Sequence, residues 1–279
     1  MKLLESVYVM TTHKGARRSI IERPFTGKLS GLERIGFSAD HKPQRIATLS
    51  FPVREYRPTS DNTSLIVEIV EKRHPALLLC AGWSVPTEQS LGPIIAATQY
   101  VKTSVVLETT SPTPIYFRIT NGCRSRMGAQ FFSTREDTNN AAKCGPDHLA
   151  NALSDRSFPF LNREVLLLIC GEVMVVRGRK KVQFHWSVPQ VLQDAVRAPS
   201  VMILNPTHTR MGNCGTVKAW REYLSSGGRT YVSASNWDLS SGQHRSDTLH
   251  SVWYNGNLKT PVYSFENEQL CYRECLQPV

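Results

Sequence analysis

The chain has 279 residues, of which 41% are hydrophobic and 20% are charged, a composition ordinary for a soluble globular protein with a sizeable core. No apolar run approaches the roughly 18 residues of a membrane helix, which excludes a helical membrane protein. The 33 basic and 23 acidic residues give a net charge of +10, which favours a polyanionic partner such as nucleic acid or an anionic substrate. The basic residues are scattered, however, and their one tight run, 177–181 (RGRKK), is more typical of a solvated turn.

The first residues, MKLLESVYVM, lack the long apolar segment and the small-residue cleavage site of a secretory signal. The seven cysteines are odd in number and widely spaced, so they do not suggest a disulfide framework. We therefore expect a cytoplasmic protein with reduced thiols.

Two regions are distinguished along the chain. Residues 1–43 are polar, basic and poorly periodic, and we interpret them as a basic N-terminal extension made of loops or a docked arm. Residues 44–279 alternate between strand and helix patterns. The patterns predict strands at 45–53, 75–83, 104–109, 115–120, 126–132, 164–170, 201–206 and 229–237, and a last hairpin formed by 250–256 and 261–265. They predict helices at 61–74, 90–103, 147–156, 187–199 and 216–228.

Individual patterns support these assignments. In 61–74, the apolar residues fall at helical spacing on one stripe, whereas 75–83 (PALLLCAGW) is a short apolar run typical of a strand buried on both faces. Asn121-Gly122 between two apolar runs is a strong hairpin signal. Alternating strands and helices with inserted hairpins predict an α/β fold with mixed sheets in one domain.

Cys170 ends the apolar run of 163–173 (REVLLLICGEV) and is followed at once by Gly171 and Glu172. Taken alone, such a thiol is most often a buried core residue. However, ligands bind at the carboxyl ends of strands in α/β sheets, because loops converge there. Four segments reach such an end with polar residues, namely 80–84, 170–172, 205–210 and 235–238.

The order of these segments resembles that of the nitrilase (carbon–nitrogen hydrolase) superfamily over residues 44–250. The series begins with QRIATLSFPV and ALLLCAG and continues with SVVLET, IYFRITNG and REVLLLICGEV. It closes with APSVMILNPTHTR and WREYLSSGGRTYVSASNW. This resemblance implies a four-layer α-β-β-α sandwich with a Cys–Glu–Lys triad, in which Glu is the general base and Lys stabilises the oxyanion.

The resemblance assigns the nucleophile to Cys170. Glu172 matches the acidic position after it, which in the family is more often a structural anchor than the base. The usual base Glu falls where this chain has Ala81-Gly82, and the usual Lys falls at Gly128. Arg126 is the alternative cation if the alignment slips by two residues.

Other side chains can replace the missing partners. Glu88 or Glu108 would bring a carboxylate from a neighbouring loop or strand, and His208 would form a thiolate–imidazolium pair with Cys170. A His bonded in a loop for structural reasons is the alternative. Five side chains are candidates for a substrate pocket, with core packing as the alternative for the tryptophans: Trp83, Glu108, Gln130, Asn205 and Trp237.

Three functions remain open at this point. The first is a divergent amide hydrolase that uses Cys170, with a small-molecule amide or nitrile as substrate. The second is a catalytically inactive protein of the same fold used for binding or assembly, with a polyanionic partner. The third is a nucleic-acid-associated protein. The resemblance also implies a homodimer without a cofactor. We predict no metal site, because zinc sites usually show two close ligand pairs and the second pair is missing here.

Overall fold

A computed structural model describes residues 4–7, 21–24, 44–55, 57–58, 60–133, 145–209, 213–240 and 249–277. The strands are β1 (Leu4–Val7), β2 (Ile21–Pro24), β3 (Arg45–Ser50), β4 (Pro52–Arg54), β5 (Arg57–Pro58), β6 (Leu77–Cys80), β7 (Ser104–Thr109), β8 (Ile115–Thr120), β9 (Cys123–Gly128), β10 (Ser157–Phe160), β11 (Arg163–Leu167), β12 (Val176–Arg177), β13 (Gln183–Phe184), β14 (Met202–Thr207), β15 (Thr230–Ser235), β16 (Trp237–Asp238), β17 (His250–Tyr254), β18 (Asn257–Leu258), β19 (Tyr263–Glu266) and β20 (Cys271–Leu276).

The α-helices are α1 (Thr63–Arg73), α2 (Leu91–Gln99), α3 (Gly145–Asn151), α4 (Leu153–Arg156), α5 (Gln190–Arg197) and α6 (Cys214–Ser225). Two short 3-10 helices are Glu88–Ser90 and Cys170–Val175, and we call the second one the 170–175 turn. In the described part of the chain, no helix is long and apolar enough to cross a membrane.

Two mixed sheets form the body of the molecule. The first has seven strands in the order β19-β20-β3-β6-β7-β8-β9, and the second has six in the order β10-β11-β14-β15-β17-β18. In each sheet three adjacent strands are parallel, β3-β6-β7 in the first and β11-β14-β15 in the second. These strands carry the continuous apolar runs of the sequence because both of their faces are covered.

Three apolar clusters define the layers. Helices α1 and α2 pack on the outer face of the first sheet, and α5 and α6 pack on the outer face of the second. Between the sheets lies a central cluster to which both contribute. The members of this cluster are Ile46, Ala76, Leu77, Leu79, Ala81, Val106, Tyr116, Met127, Phe158, Phe160, Val165, Leu167, Ile169, Met202, Leu204, Val232, Ala234, Val252 and Cys275. The predicted α-β-β-α sandwich is confirmed.

Local differences from the predicted elements have identifiable causes. The predicted last hairpin is wrong in its second strand, since β17 pairs with β18 through the turn Asn255-Gly256. Both turn residues have positive φ, and such a two-residue turn returns the chain at once to residue 257. The segment predicted as the return strand becomes β19, which pairs with the unpredicted β20 in the other sheet.

The basic regions are described only in part. Within the predicted extension 1–43, β1 and β2 pair in antiparallel fashion, and the rest lies outside the described residues. Strand β3 begins at Arg45, close to the predicted boundary, and the separation into two regions stays a prediction. The RGRKK run begins at the end of β12, and its residues 178–181, which are exposed, lead toward the paired strand β13.

Candidate active site

Cys170 lies just beyond the carboxyl end of β11, at the first residue of the 170–175 turn. Because β11 and β14 are parallel, their ends reach the same edge of the second sheet. Cys170 has a φ of 44°, in the left-handed region that is uncommon for residues with a side chain. Its free thiol is half-buried and packs against the central cluster. The strand end therefore presents a thiol between the two sheets.

Asn205, on β14, holds the backbone around Cys170. Its Nδ2 donates to the carbonyl oxygens of Leu168 at 2.6 Å and Cys170 at 3.1 Å, and its Oδ1 accepts from the Tyr231 hydroxyl at 2.7 Å. Asn205 is itself buried, so these bonds form away from water. Asn205, predicted as a pocket residue, therefore fixes the backbone on which Cys170 stands.

Glu172 anchors the 170–175 turn from the other side. Its Oε2 accepts from the backbone N–H of Ile169 at 2.8 Å, and its Oε1 accepts from that of Phe131 at 2.8 Å. Arg156 forms a fully buried ion pair with it, with Nη1 3.2 Å from Oε2. Burial raises the pKa of Glu172, and the charge of Arg156 opposes this shift. Both oxygens are therefore engaged, which favours the structural anchor over a catalytic base.

The segment 129–133 packs tightly on the turn. A Cβ at Gly171 would lie 2.6 Å from the carbonyl oxygen of Ser133, so the close approach requires glycine. Arg156 also donates to the carbonyl oxygen of Ala129, which ties this segment to the same ion pair. Nothing in the sequence analysis marked Arg156, because an Arg at a helix end is usually exposed.

The imidazole of His208 joins the thiol to a second carboxylate, that of Glu108. Its Nε2 lies 2.8 Å from Glu108 Oε2, and the imidazole also hydrogen-bonds to Cys170. Glu108 is fully buried at the end of β7, and its Oε2 accepts a second hydrogen bond, of 2.7 Å, from the backbone N–H of Trp83. The structure thus brings together three sequence-predicted residues from three strand ends. Glu108 is on β7 in the first sheet, whereas Cys170 and His208 follow β11 and β14 in the second.

The charge of His208 follows from these contacts. Burial lowers the pKa of His208, but hydrogen bonds to Cys170 and Glu108, together with their charges, outweigh burial and raise it to about 10. The ring is therefore protonated at neutral pH. A positively charged imidazole thus lies beside the Cys170 sulfur, and an adjacent cation is a feature of nucleophilic cysteines.

Gly82 and Trp83 make room for this imidazole and cover it. A Cβ at Gly82 would lie 2.4 Å from Cδ2 of His208, so any other residue at position 82 would collide with the ring. Trp83 has a φ of 56°, and its ring stacks on His208 with 4.4 Å between the centroids and 32° between the planes. The positions Ala81-Gly82, which lack the expected Glu, therefore border the His208 ring.

Other predicted residues lie elsewhere. Arg126 is exposed on β9 while its neighbour Met127 belongs to the central cluster, so the alternation of the strand directs Arg126 away from Cys170. This placement contradicts its prediction as the site's cation. Glu88 pairs with Arg124 at the surface, 3.0 Å apart.

Two predicted pocket residues have structural surroundings. Gln130 Nε2 donates to the carbonyl oxygen of Phe132 at 2.7 Å, within the segment that covers the 170–175 turn. Trp237 is buried in a separate small cluster with Leu249 and Cys271. The core-packing alternative therefore holds for Trp237, whereas Trp83 contacts the site directly.

Tyr116, on β8, was missed by the sequence analysis. It is fully buried in the central cluster and interacts electrostatically with Glu108, Cys170 and Glu172. The alternation of residues along β8 predicts that Tyr116 faces the core. A buried tyrosine hydroxyl usually needs a hydrogen-bond partner, and this could have marked Tyr116 as a candidate. Among the described residues, no group of three or more His, Cys, Asp or Glu side chains is arranged to hold a metal ion.

The fold defines the class of protein to which the chain is similar, the amidases of the nitrilase superfamily. A cysteine-to-alanine variant of the Nesterenkonia AN1 amidase, from that superfamily, matches at 14% identity and a TM-score of 0.52, covering 86% of this chain and 94% of that one. The corresponding variant in complex with butyramide matches at 12% identity and a TM-score of 0.51, covering 86% and 94%.

A third structure of the Nesterenkonia sp. AN1 amidase carries the product of Michael addition of acrylamide at its active-site cysteine. It matches at 12% identity and a TM-score of 0.50, covering 84% of this chain and 93% of that one. No protein-family profile matches the chain, and no curated protein sequence matches it significantly. At these identities the likeness establishes the fold.

Proposed function

We propose that the protein is a cysteine-dependent hydrolase of carbon–nitrogen bonds and a divergent member of the nitrilase superfamily. Its catalytic group would be Cys170, His208 and Glu108. The observation that carries the proposal is that one imidazole contacts both the thiol and a buried carboxylate. A nucleophile, a base and a group that orients the base are the three parts that such catalysis requires.

Each residue has a distinct task in this reaction. The Cys170 thiolate attacks the carbonyl carbon of an amide, forming a C–S bond and a tetrahedral oxyanion. His208 gives its proton to the nitrogen, the C–N bond breaks, and an amine or ammonia leaves. Neutral His208 then takes a proton from water, whose oxygen attacks the thioester and releases the acid. Glu108 holds the imidazole in orientation and stabilises its charge.

The local fold supports His208 as the replacement for the family's base. The usual Glu would come from the end of β6, where Gly82 leaves space that the His208 ring borders. A Glu there and a His at 208 would exclude each other sterically. We therefore infer that the loss of one and the presence of the other are coupled.

The test is ammonia release from short aliphatic amides, beginning with butyramide. We expect turnover by the native chain, and a loss of roughly 10²–10⁴-fold for His208→Asn, because that variant removes the general acid and base. Cys170→Ala should abolish turnover. The control is His74→Asn, since His74 is an exposed helix-capping residue whose left-handed backbone suits Asn.

Two results would contradict the proposal. Turnover that survives Cys170→Ala would remove the thiol from the mechanism. No release of ammonia from any amide by the native chain would favour the inactive relative of the same fold.

A further inference from the structure

Three buried polar atoms near Cys170 have no hydrogen-bond partner within the described part of the chain, namely the Tyr116 hydroxyl, Glu108 Oε1 and Arg156 Nε. The guanidinium of Arg156 is already held by its ion pair with Glu172, so the other two atoms are the ones without an assigned role. Both of their side chains are fully buried. A buried polar atom without a partner is unfavourable, so each such atom in a folded protein calls for an explanation.

These two atoms belong to neighbouring side chains. Tyr116 on β8 and Glu108 on β7 are directly opposite each other in the antiparallel pair, so both project from the same face of the first sheet. That face is the inner one, because Tyr116 packs in the central cluster with Cys170. The other carboxylate oxygen of Glu108 already binds His208, which places the pair beside the nucleophile.

The next strand carries no side chain opposite Tyr116. Its partner on β9 is Gly128, which has no side chain and which the family resemblance aligns with the usual Lys. A Cβ at Gly128 would meet only Arg156 Nε, at 3.7 Å. The one cation predicted for this role, Arg126, is exposed on the other face of β9. The oxyanion donor of the proposed reaction is therefore still to be assigned.

The chemistry of the two atoms is complementary to one functional group. A tyrosine hydroxyl donates a hydrogen bond, and a carboxylate oxygen accepts one. A carboxamide presents a carbonyl oxygen that accepts and an –NH₂ group that donates. A nitrile has no N–H group, and a dialkylated amide has none either.

We propose that Tyr116 donates a hydrogen bond to the substrate's carbonyl oxygen, and that Glu108 Oε1 accepts one from its –NH₂ group, so that the site selects unsubstituted carboxamides. This inference rests on the proposed function. When the Cys170 thiolate forms the C–S bond, the carbonyl π electrons move to the oxygen, and the Tyr116 hydrogen bond strengthens as that charge develops. The proton for the departing ammonia still comes from His208.

The experiment compares Tyr116→Phe with the native chain. Removing the hydroxyl takes away no hydrogen bond that the described residues form, so we expect an intact fold and unchanged alkylation of Cys170 by iodoacetamide. We expect kcat for butyramide to fall by roughly 10²–10³-fold, as for the loss of one oxyanion donor. The control is Tyr100→Phe, because Tyr100 is 85% exposed.

Substrate selection is tested with three compounds of equal chain length. The native chain should turn over butyramide at least about 10²-fold more efficiently than N,N-dimethylbutyramide or butyronitrile, because a buried acceptor rejects analogues that lack its donor. Equal efficiency with the dimethyl amide would overturn the role of Glu108 Oε1. An unchanged kcat in Tyr116→Phe would overturn that of Tyr116.

A wrong assignment of Tyr116 or Glu108 Oε1 can be distinguished from a wrong proposed function. If Cys170 is alkylated rapidly and butyramide is hydrolysed, but Tyr116→Phe behaves as the native chain does, only the oxyanion donor is wrongly assigned. If Cys170 is neither activated nor required for hydrolysis, the proposed function itself is contradicted and the inference goes with it.

Discussion

At the scale of single residues, two buried carboxylates near Cys170 have different surroundings that separate their roles. Glu172 receives two backbone amides and the Arg156 guanidinium, so its charge is fully engaged by fixed donors. Glu108 contacts the His208 imidazole through Oε2, whereas its Oε1 has no hydrogen-bond partner among the described residues. The first environment suits an anchor, and the second suits a group that orients the imidazole and binds the substrate.

The anchoring role of Arg156 leads to a stability prediction. Arg156→Met leaves Glu172 buried without its counter-ion, and we expect the free energy of unfolding to fall by about 3–5 kcal/mol. Chemical denaturation measures this change. As control, Lys72→Met removes the exposed pair with Glu68 and should cost no more than about 0.5 kcal/mol. Equal effects of the two substitutions would show that the buried pair is not an anchor.

His250 leads to a prediction about pH. It is buried between the sheets, with Nδ1 2.7 Å from Thr48 Oγ1, and burial together with the charge of Arg273 lowers its pKa well below 6.5. As the pH falls, His250 is therefore protonated at a higher pH in the unfolded chain than in the folded chain. Stability contributed by neutral His250 is present above about pH 6.5 and is lost below it, with a slope approaching 1.4 kcal/mol per pH unit.

The measurement is the difference in unfolding free energy between the native chain and His250→Gln from pH 7.5 to pH 5. The contribution of His208 is common to both chains and cancels in the difference. We expect the advantage of the native chain to shrink as the pH falls. A difference that does not change with pH would contradict a neutral buried His250.

At the scale of elements, the site depends on how closely the ends of β6 and β14 approach. The backbone N–H of Gly82 donates to the carbonyl oxygen of Thr207 at 3.1 Å, which sets His208 against the glycine. Gly82→Ala would push the imidazole away from Cys170 and Glu108. A displacement of about 1 Å can cost roughly 10²-fold in rate, and we expect amide hydrolysis to fall by about that factor.

The matched control for this prediction is Gly92→Ala in α2, where a Cβ would have no neighbour within 4 Å. Gly92 is in the first turn of α2, where alanine is also tolerated, so this variant should be as stable as the native chain and fully active. If Gly82→Ala hydrolyses amides as Gly92→Ala does, His208 does not occupy the position that the mechanism requires.

A helix or strand can be predicted when the residues that determine it are close together in the sequence. Strand β7 and helix α1 follow from local apolar patterns, because one run or one stripe fixes each of them. The ion pair of Arg156 with Glu172 could not be predicted, since it depends on a tertiary approach of α4 to the 170–175 turn. Strand β20 was missed for a similar reason, because its pairing with β3 joins residues from distant parts of the chain, such as Cys271 and Ser50.

The candidate site was predictable only in part. The family resemblance identified Cys170, and His208 was a candidate because it follows a strand end. Glu108 was a candidate as a carboxylate that a neighbouring strand could supply. Their mutual contacts depend on how the two sheets pack, which no sequence pattern specifies. Tyr116 was missed because a tyrosine in an apolar strand resembles any other core aromatic.

At the scale of the whole molecule, the two sheets bring the carboxyl ends of their parallel strands together, and the proposed group is shared between them. Glu108 comes from the first sheet, whereas Cys170 and His208 come from the second. A change in how the two sheets pack would therefore change the rate of hydrolysis. The homodimer, the cytoplasmic location and a polyanionic partner for the net charge of +10 stay predictions.

The central claim is that His208 activates Cys170 as a nucleophile. Its most direct test is the pH dependence of iodoacetamide alkylation at each cysteine, followed by peptide mass spectrometry. The exposed thiol of Cys123 is the reference within the same chain. Only the thiolate is alkylated, so the alkylation rate of a thiol that no cation activates falls as the pH falls.

We predict that, in the native chain, alkylation of Cys170 slows less than that of Cys123 as the pH falls from 8 to 6, and that in His208→Asn the two rates fall together. A Cys170 rate that falls with pH as that of Cys123 does in the native chain, or that His208→Asn leaves unchanged, would contradict the role of His208.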